Sequence, residues 1–470
     1  MRKTTLCFSL VMAVLGLAVV SHAQTVDVLY NFCSQQNCKD GANPMADLAV
    51  DPSGNLWGTT RAGGTGTACN GGCGTIFELT ASSKFTTLVQ AYSFQGGSGD
   101  GAFPEAGLVF DSQTQTFYGT TSAGGTGCSG GCGTIFEFVP SNAAEHVLHF
   151  FGGNGDGATP KAELLMDSSQ NFYGTTSAGV STSNCNAGCG TVFRINPLAN
   201  SYDVLYRFNG SAKTADGADP VAGLVFDSKQ NLWGTAQKGG AKNFGTVFEL
   251  AAPSYTSLAF AHSIKGPPNG AYPAAAMTFD KNVGGPLGTL YGTTSAGGSK
   301  ACSGGCGIVF ELEISGHVDK IIYKFTGSGS TKSGSAPVGR LALDDIQGDK
   351  RAGHLYGTAS LGGSNTGACP AAGCGTLFEI CPPTISCTIQ GGPTYPREAT
   401  VFHFNGTEGA NPTAGVLLDV QGLNELLFGE EPGEYGSGPL TGKGACPTNC
   451  IGTGTNGGQN GKGVVVGVKP

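Results

Sequence analysis

PVAGLVFDSKQNLWGTAQKGGAKNFGTVFEL, Pro220 to Leu250, is the stretch whose reading decides the fold. It holds three short runs that recur along the chain. Segment A is PVAGLVFD (Pro220 to Asp227), segment B centres on Trp233-Gly234-Thr235, and segment C is GTVFEL (Gly245 to Leu250). A fourth run, segment D, ends in an aromatic pair of type Tyr-x-Phe, as in VLYRF (Val204 to Phe208) and IIYKF (Ile321 to Phe325). Each run is short, rich in β-branched and aromatic residues and bounded by Gly or Pro, which is the pattern of strands. After the first residues, no stretch holds a helical period.

The aromatic-Gly-Thr of segment B recurs at Trp57-Gly58-Thr59, Tyr118-Gly119-Thr120, Tyr173-Gly174-Thr175, Trp233-Gly234-Thr235, Tyr291-Gly292-Thr293 and Tyr356-Gly357-Thr358. An eroded copy stands at Phe428-Gly429-Glu430. The glycines lie 55 to 72 residues apart, a period that means a solenoid, a propeller or an array. Four strands per repeat predict an all-β, seven-bladed β-propeller with four antiparallel strands per blade. The expected repeats span 42–94, 102–151, 158–208, 218–264, 271–325, 335–404 and 410–470, the last completed by strand 26–32. The chain's ends favour a ring over a solenoid. Val26 to Phe32 is a D segment with nothing before it, and Gly463 to Val468 is a C segment with no D after it. Joining them closes the ring and removes open edges. The small residues of segment A (Ala46, Ala106, Ala162, Ala222, Ala275, Gly339 and Ala414) suit inner strands converging on an axis.

Arg2-Lys3, the apolar run Leu6 to Val20 and Ser21-His22-Ala23 read as a signal peptide over 1–23, cleaved after Ala23. The run is short for a membrane span, so the chain from Gln24 to Pro470 is expected to be exported, with no transmembrane segment, and a monomer by default. Its 80 glycines coexist with 39% apolar residues, which is not a disordered composition. Charged residues make up 12%, with 25 Lys+Arg against 33 Asp+Glu and no basic stripe, so nucleic acid is not an expected partner.

Beyond Cys7, sixteen cysteines fall into close pairs: Cys33/Cys38, Cys69/Cys73, Cys128/Cys132, Cys185/Cys189, Cys302/Cys306, Cys369/Cys374, Cys381/Cys387 and Cys446/Cys450. Six of the pairs, Cys446/Cys450 among them, fall in the expected B–C loop of a repeat. The fourth repeat lacks both members together and carries Ala241-Lys242-Asn243-Phe244 instead. Joint loss is what bonded partners predict, and an exported chain meets an oxidising compartment. Local disulfides are the favoured reading. Zinc is the rival, but its sites combine two such pairs.

In an antiparallel blade the D–A and B–C loops emerge at the same end. Asp40, Asp100, Asp156 and Asp216 each precede Gly-Ala in the D–A loop, and Glu408 takes that place in the last repeat. Together they form a candidate ligand or calcium face; the competing reading is that each carboxylate caps its own turn. The aspartate closing segment A occurs in all repeats (Asp51, Asp111, Asp167, Asp227, Asp280, Asp344 and Asp419) and is read as structural, because a reaction needs one asymmetric site. Asymmetry appears at the axis, where the position after the small residue reads Asp47, Gly107, Glu163, Gly223, Ala276, Arg340 and Gly415. Asp47, Glu163 and Arg340 are the candidate catalytic residues if the protein is an enzyme. Five of the histidines lie in segment D, away from the axis, and no H-E-x-x-H, G-x-S-x-G or phosphate loop occurs.

The run Tyr291 to Gly298 followed by Gly307 to Leu312, and Trp233 to Gly240 followed by Gly245 to Leu250, resembles the GloVer tandem repeat of exported bacterial proteins. The resemblance implies a surface or secreted repeat protein and supplies no catalytic residue. The cysteine pairs depart from that pattern. Segments A and B also resemble, at the level of fold, the blades of NHL-type propellers and of streptogramin lyase. The expected function is a non-enzymatic binding or scaffold propeller for an extracellular polysaccharide or protein, with no cofactor beyond the calcium option. The alternative is an extracellular lyase or hydrolase with one cation-assisted site at the channel mouth.

Overall fold

A computed structural model describes residues 25–469, apart from 154, 186, 212–215, 328–332, 345–351, 364–368, 370, 371, 384–396, 406–409, 414, 419–425, 430–448 and 455–463. The expected leader, 1–23, Glu408 and Asp419 lie outside the described residues. The fold is an all-β propeller. Its helical content among the described residues is three single 3₁₀ turns, and no helix is long and apolar enough to cross a membrane.

Six blades follow the expected order. The third is typical: Leu165–Met166 pairs with Phe172–Thr176, which pairs with Thr191–Asn196, which pairs with Ser201–Arg207, all antiparallel. The fourth repeats it with Val225–Phe226, Leu232–Ala236, Thr246–Leu250 and Leu258–Ser263.

The expectation of seven equivalent blades is corrected to six. The chain ends form a sheet of different topology, in the order Thr25–Asn31, Val464–Lys469, Asn449–Gly454, Leu426–Gly429, Val416–Leu418. A fifth strand, Asn449–Gly454, stands between the expected segments B and C and runs parallel to Leu426–Gly429. The reason is legible in the residues. Phe428-Gly429-Glu430 has lost its Gly-Thr, whereas Gly452-Thr453 retains one, and it is this strand that pairs with the C segment (Gly452 with Val466, Thr453 with Val465). The terminal strand does pair antiparallel with the last one, Thr25 opposite Lys469.

The Gly-Thr anchor recurs for two reasons. A Cβ on Gly58 would lie 2.6 Å from the Phe77 ring and 2.8 Å from Leu48, so only glycine lets the segment C ring cross the B strand. The threonine ties neighbouring blades: Thr59 Oγ1 donates to the Ala106 carbonyl (3.1 Å) and Thr175 Oγ1 to that of Ala222 (3.0 Å). The carbonyl belongs to the small residue of the next segment A. The aspartate ending segment A is structural: Asp227 accepts from Lys229 N, Asn231 N, Asn231 Nδ2 and the Trp233 indole (2.8–3.0 Å).

The core lies in the seams between blades. At five seams the last aromatic of segment D packs edge-to-face on the segment C phenylalanine of the next blade: Phe32 on Phe77, Phe94 on Phe136, Phe151 on Phe193, Phe208 on Phe248 and Phe325 on Phe378, with centroids 4.9–5.4 Å apart. Such pairs add about 0.5–1.5 kcal/mol beyond the area they bury.

Six of the expected disulfides are formed among the described residues: Cys33–Cys38, Cys69–Cys73, Cys128–Cys132, Cys185–Cys189, Cys302–Cys306 and Cys369–Cys374. Cys381, at the end of strand Thr376–Cys381, is also disulfide-bonded; its expected partner, Cys387, lies outside the described residues.

The last expected pair, Cys446–Cys450, is corrected in its setting. Cys450 was expected in a B–C loop, but it lies inside strand Asn449–Gly454, opposite Leu427 on one side and Val468 on the other. The physical reason is the extra strand itself: its Gly452-Thr453 pairs with the last strand, so Cys450, two residues before, is a ladder position. Cys446, and with it the bond between the two, lies outside the described residues. In the fourth blade a side chain replaces the bridge. Gly210 faces Cys185 and Cys189, whereas the equivalent Gly266 faces the Phe244 ring.

Candidate functional site

The inner ends of segment A bring the three charged candidates together. A Cβ on Gly107 would lie 3.4 Å from the Glu163 carboxyl carbon and 3.6 Å from Asp47 Cβ. A Cβ on Gly415 would lie 3.1 Å from Asp47 Oδ2 and 3.2 Å from Arg340 Cβ. The order around the axis is therefore Arg340, Gly415, Asp47, Gly107, Glu163, with a glycine separating each charged residue from the next. The Gly415 N–H donates to Asp47 Oδ1 (2.7 Å), joining the segment A of the last repeat to that of the first.

Burial raises the Asp47 carboxyl above its usual range, opposed by the Gly415 N–H and the Arg340 charge. Burial also pushes Glu163 up to about 7, and the neighbouring Asp47 charge adds to it against Arg340. Near neutral pH the site thus presents a protonated or half-protonated carboxyl, a second carboxyl and a guanidinium that is itself exposed. That set can donate to, accept from and charge-pair with a polar ligand.

A carboxyl whose pKa is raised by folding holds its proton more tightly in the native chain. The native state therefore binds more protons between the ordinary value, 4.5, and about 7, and stability falls as pH rises through that window. Glu163→Gln is expected to flatten this fall, measured as urea midpoints between pH 4 and pH 8. An unchanged slope would show that Glu163 titrates normally.

The loop carboxylates are placed differently. Asp40 accepts from Tyr30 OH (2.8 Å) and Ser34 N (2.9 Å), and Asp100 from Tyr92 OH (3.0 Å) and Gln95 N (2.6 Å). Asp156 accepts from Gly152 N (2.9 Å) and meets His149 Nε2 (3.3 Å); Asp216 accepts from Asn209 N (2.9 Å) and Tyr206 OH (3.2 Å). Each secures its own D–A loop to segment D. Among the described residues no three His, Cys, Asp or Glu side chains gather as a metal would require.

The profile of the Gloeobacter/Verrucomicrobia repeat matches residues 17–211 and 126–369. The chain belongs to the Gloeobacter/Verrucomicrobia repeat family. No curated protein matches it in sequence. Solved structures similar to this family member include a GH74 enzyme from Niastella koreensis (15% identity, TM-score 0.42, covering 72% of this chain and 44% of that one). TolB from Acinetobacter baumannii is 10% identical (TM-score 0.35, 65% of this chain and 57% of that one). A putative 6-phosphogluconolactonase from Bacteroides fragilis is 13% identical (TM-score 0.43, 82% and 93%). The chain spans about half the length of the first two. The repeat family's segments carry the axial residues but do not dictate them: Asp47, Glu163 and Arg340 stand where other repeats of the same chain have Gly or Ala.

One feature escapes a reading by motif, a cleft between the fourth and fifth blades, far along segment D from the axis. Its signal in the sequence is Ile264, which stands where every other repeat ends segment D in phenylalanine.

Proposed function

We propose that this protein is an exported binding propeller that holds a polysaccharide at the mouth of its axial channel. The observation that carries this reading is the convergence of Asp47, Glu163 and Arg340, from three different repeats, around two glycines whose missing Cβ atoms let them approach. Vicinal hydroxyls need donors and acceptors side by side, and the two carboxyls and the guanidinium supply both. The six disulfides between described residues fit an oxidising compartment.

The test incubates oxidised protein with insoluble polysaccharides and cell-wall material, with calcium or chelator, and scores retained protein and released product. Retention without product, weakened at least ~10-fold by Arg340→Ala, is expected, since a hydrogen bond to a charged group contributes about 1.5–3 kcal/mol. Undiminished retention in Arg340→Ala would remove the ligand from the axis. Absence of retention on every polymer would leave a protein partner.

A second reading, a hydrolase or lyase, is favoured by one observation: Glu163 keeps its proton near neutral pH beside a carboxyl that the Arg340 charge helps to ionise, the pairing that acid-assisted bond cleavage uses. Release of soluble product that stops in Glu163→Gln would establish it.

A further inference from the structure

A second set of charged residues departs from the repeats, one layer nearer the D–A loops than the axial set. In the first and third repeats segment A alternates part-exposed and buried residues, from Met45 to Leu48 and from Lys161 to Leu164. The residue after proline therefore shares the open side with the axial residue two places on. That position reads Met45, Glu105, Lys161, Val221, Ala274, Val338 and Thr413, so charge is confined to the second and third repeats.

Segment B supplies a third charge. Ser122, Ser177, Ser295 and Ser360 each donate a hydroxyl hydrogen bond to the carbonyl of the residue before proline in their own repeat. The first repeat has Arg61 at that place, and its side chain reaches the second repeat instead. Arg61 Nε donates to Glu105 Oε1 (2.8 Å), and its guanidinium carbon lies 5.0 Å from the centroid of the Phe103 ring. Lys161 Nζ approaches the other oxygen, Glu105 Oε2, at 3.6 Å. Three repeats thus bring two cations to one carboxylate. Among the described residues neither terminal nitrogen of Arg61 has a hydrogen-bond partner, and Lys161 Nζ has none. The two cations are 41% and 39% exposed, whereas Glu105 is 13% exposed. With Nε bound and one face on a ring, the guanidinium is held still and its two-nitrogen edge stays open, the geometry that matches the paired oxygens of an oxyanion. Ion pairs this exposed contribute little to stability.

We propose that Arg61 and Lys161 bind the oxyanion of an acidic sugar, so that the polysaccharide held at the axis is a polyanion. This rests on the axial reading for the polymer and adds its charge. The chain as a whole carries a formal net charge of −8, so its overall field repels such a polymer and the attraction comes from a local site.

The experiment measures retention of the oxidised full chain, in chelator, on four immobilised polymers: polygalacturonate, its methyl ester, dextran sulfate and dextran. Each pair differs in whether the sugar carries an oxyanion. A preference of at least ~10-fold for the charged member is expected in one pair or both, because a bidentate charge-assisted contact separates the members. The pair that shows it names the oxyanion as carboxylate or sulfate ester. Arg61→Gln is expected to erase the preference while leaving retention of the neutral member and the unfolding temperature unchanged; a purely structural Arg61 would do the reverse. Lys161→Gln tests the same site from another blade and is expected to reduce the preference by a smaller factor. Arg340→Ala, which acts on the axis, is expected to weaken both members of a pair alike. Equal retention of charged and neutral members would overturn the oxyanion site and leave the axial reading standing. A preference that survives both Arg61→Gln and Lys161→Gln would overturn the assignment to these residues. No retention on any of the four polymers would overturn both readings.

Discussion

Phe248→Ala is expected to lower the free energy of unfolding by about 3–5 kcal/mol, the range for deleting a buried phenylalanine. The ring is fully buried, packs edge-to-face on Phe208 at 5.0 Å, and lies where a Cβ on Gly234 would meet it. It therefore serves its own blade and the seam with the third blade at once. No neighbouring group can move in, because the B strand beneath it is glycine held by sheet pairing on both sides. Urea denaturation of oxidised protein measures the loss. A change below about 1 kcal/mol would mean that the seam relaxes around the hole and that edge-to-face packing does not hold the ring together.

Reduction of the disulfides is the second large effect. Each of the six bridges between described residues joins cysteines four or five positions apart, worth about 2 kcal/mol in the chain-entropy model. Six broken together are expected to lower the unfolding midpoint more than any single core substitution. The effect has a built-in control. The loop Gly240–Phe244 has Phe244 in place of a bridge, so on reduction hydrogen exchange should accelerate in the cysteine-bearing B–C loops and stay unchanged there. Uniform acceleration that includes Gly240–Phe244 would show that the bridges act globally.

Much of the fold was legible because repetition served as an internal alignment. Strand order, the small residue of segment A, the closing aspartate and the pairing of the two termini all follow from positions that recur. What the repeats did not reveal lies where recurrence fails or misleads. The last repeat keeps an anchor-like Phe428-Gly429, yet Asn449–Gly454, with its own Gly-Thr, is the strand that pairs with the C segment. Motif matching favoured the nearer copy, while hydrogen bonding favoured the better one. Cys450 was misplaced for the same reason: spacing alone put it in a loop, and the strand took it into the sheet. The recurring loop aspartates left two readings open in the sequence, a ligand face and a turn cap, and recurrence alone does not choose between them; in the fold they hold segment D tyrosines, a histidine and loop N–H groups. The axial residues were found by asking where the repeats differ. The same question put to segment D would have found Ile264, alone among phenylalanines.

The central claim is that Asp47, Glu163 and Arg340 form one electrostatic unit on the axis, and the titration of Glu163 tests it most directly. The carboxyl carbon of ¹³C-labelled Glu163 would be followed by NMR in the wild type, in Asp47→Asn and in Arg340→Ala. The structure predicts a midpoint near 7 in the wild type. Loss of the Asp47 charge should lower it, and loss of the Arg340 charge should raise it, since the first opposes ionisation and the second favours it. A midpoint near 4.5, the ordinary value for glutamate, indifferent to both substitutions, would contradict the account: the three side chains would then be separate residues on separate strands, with no site between them.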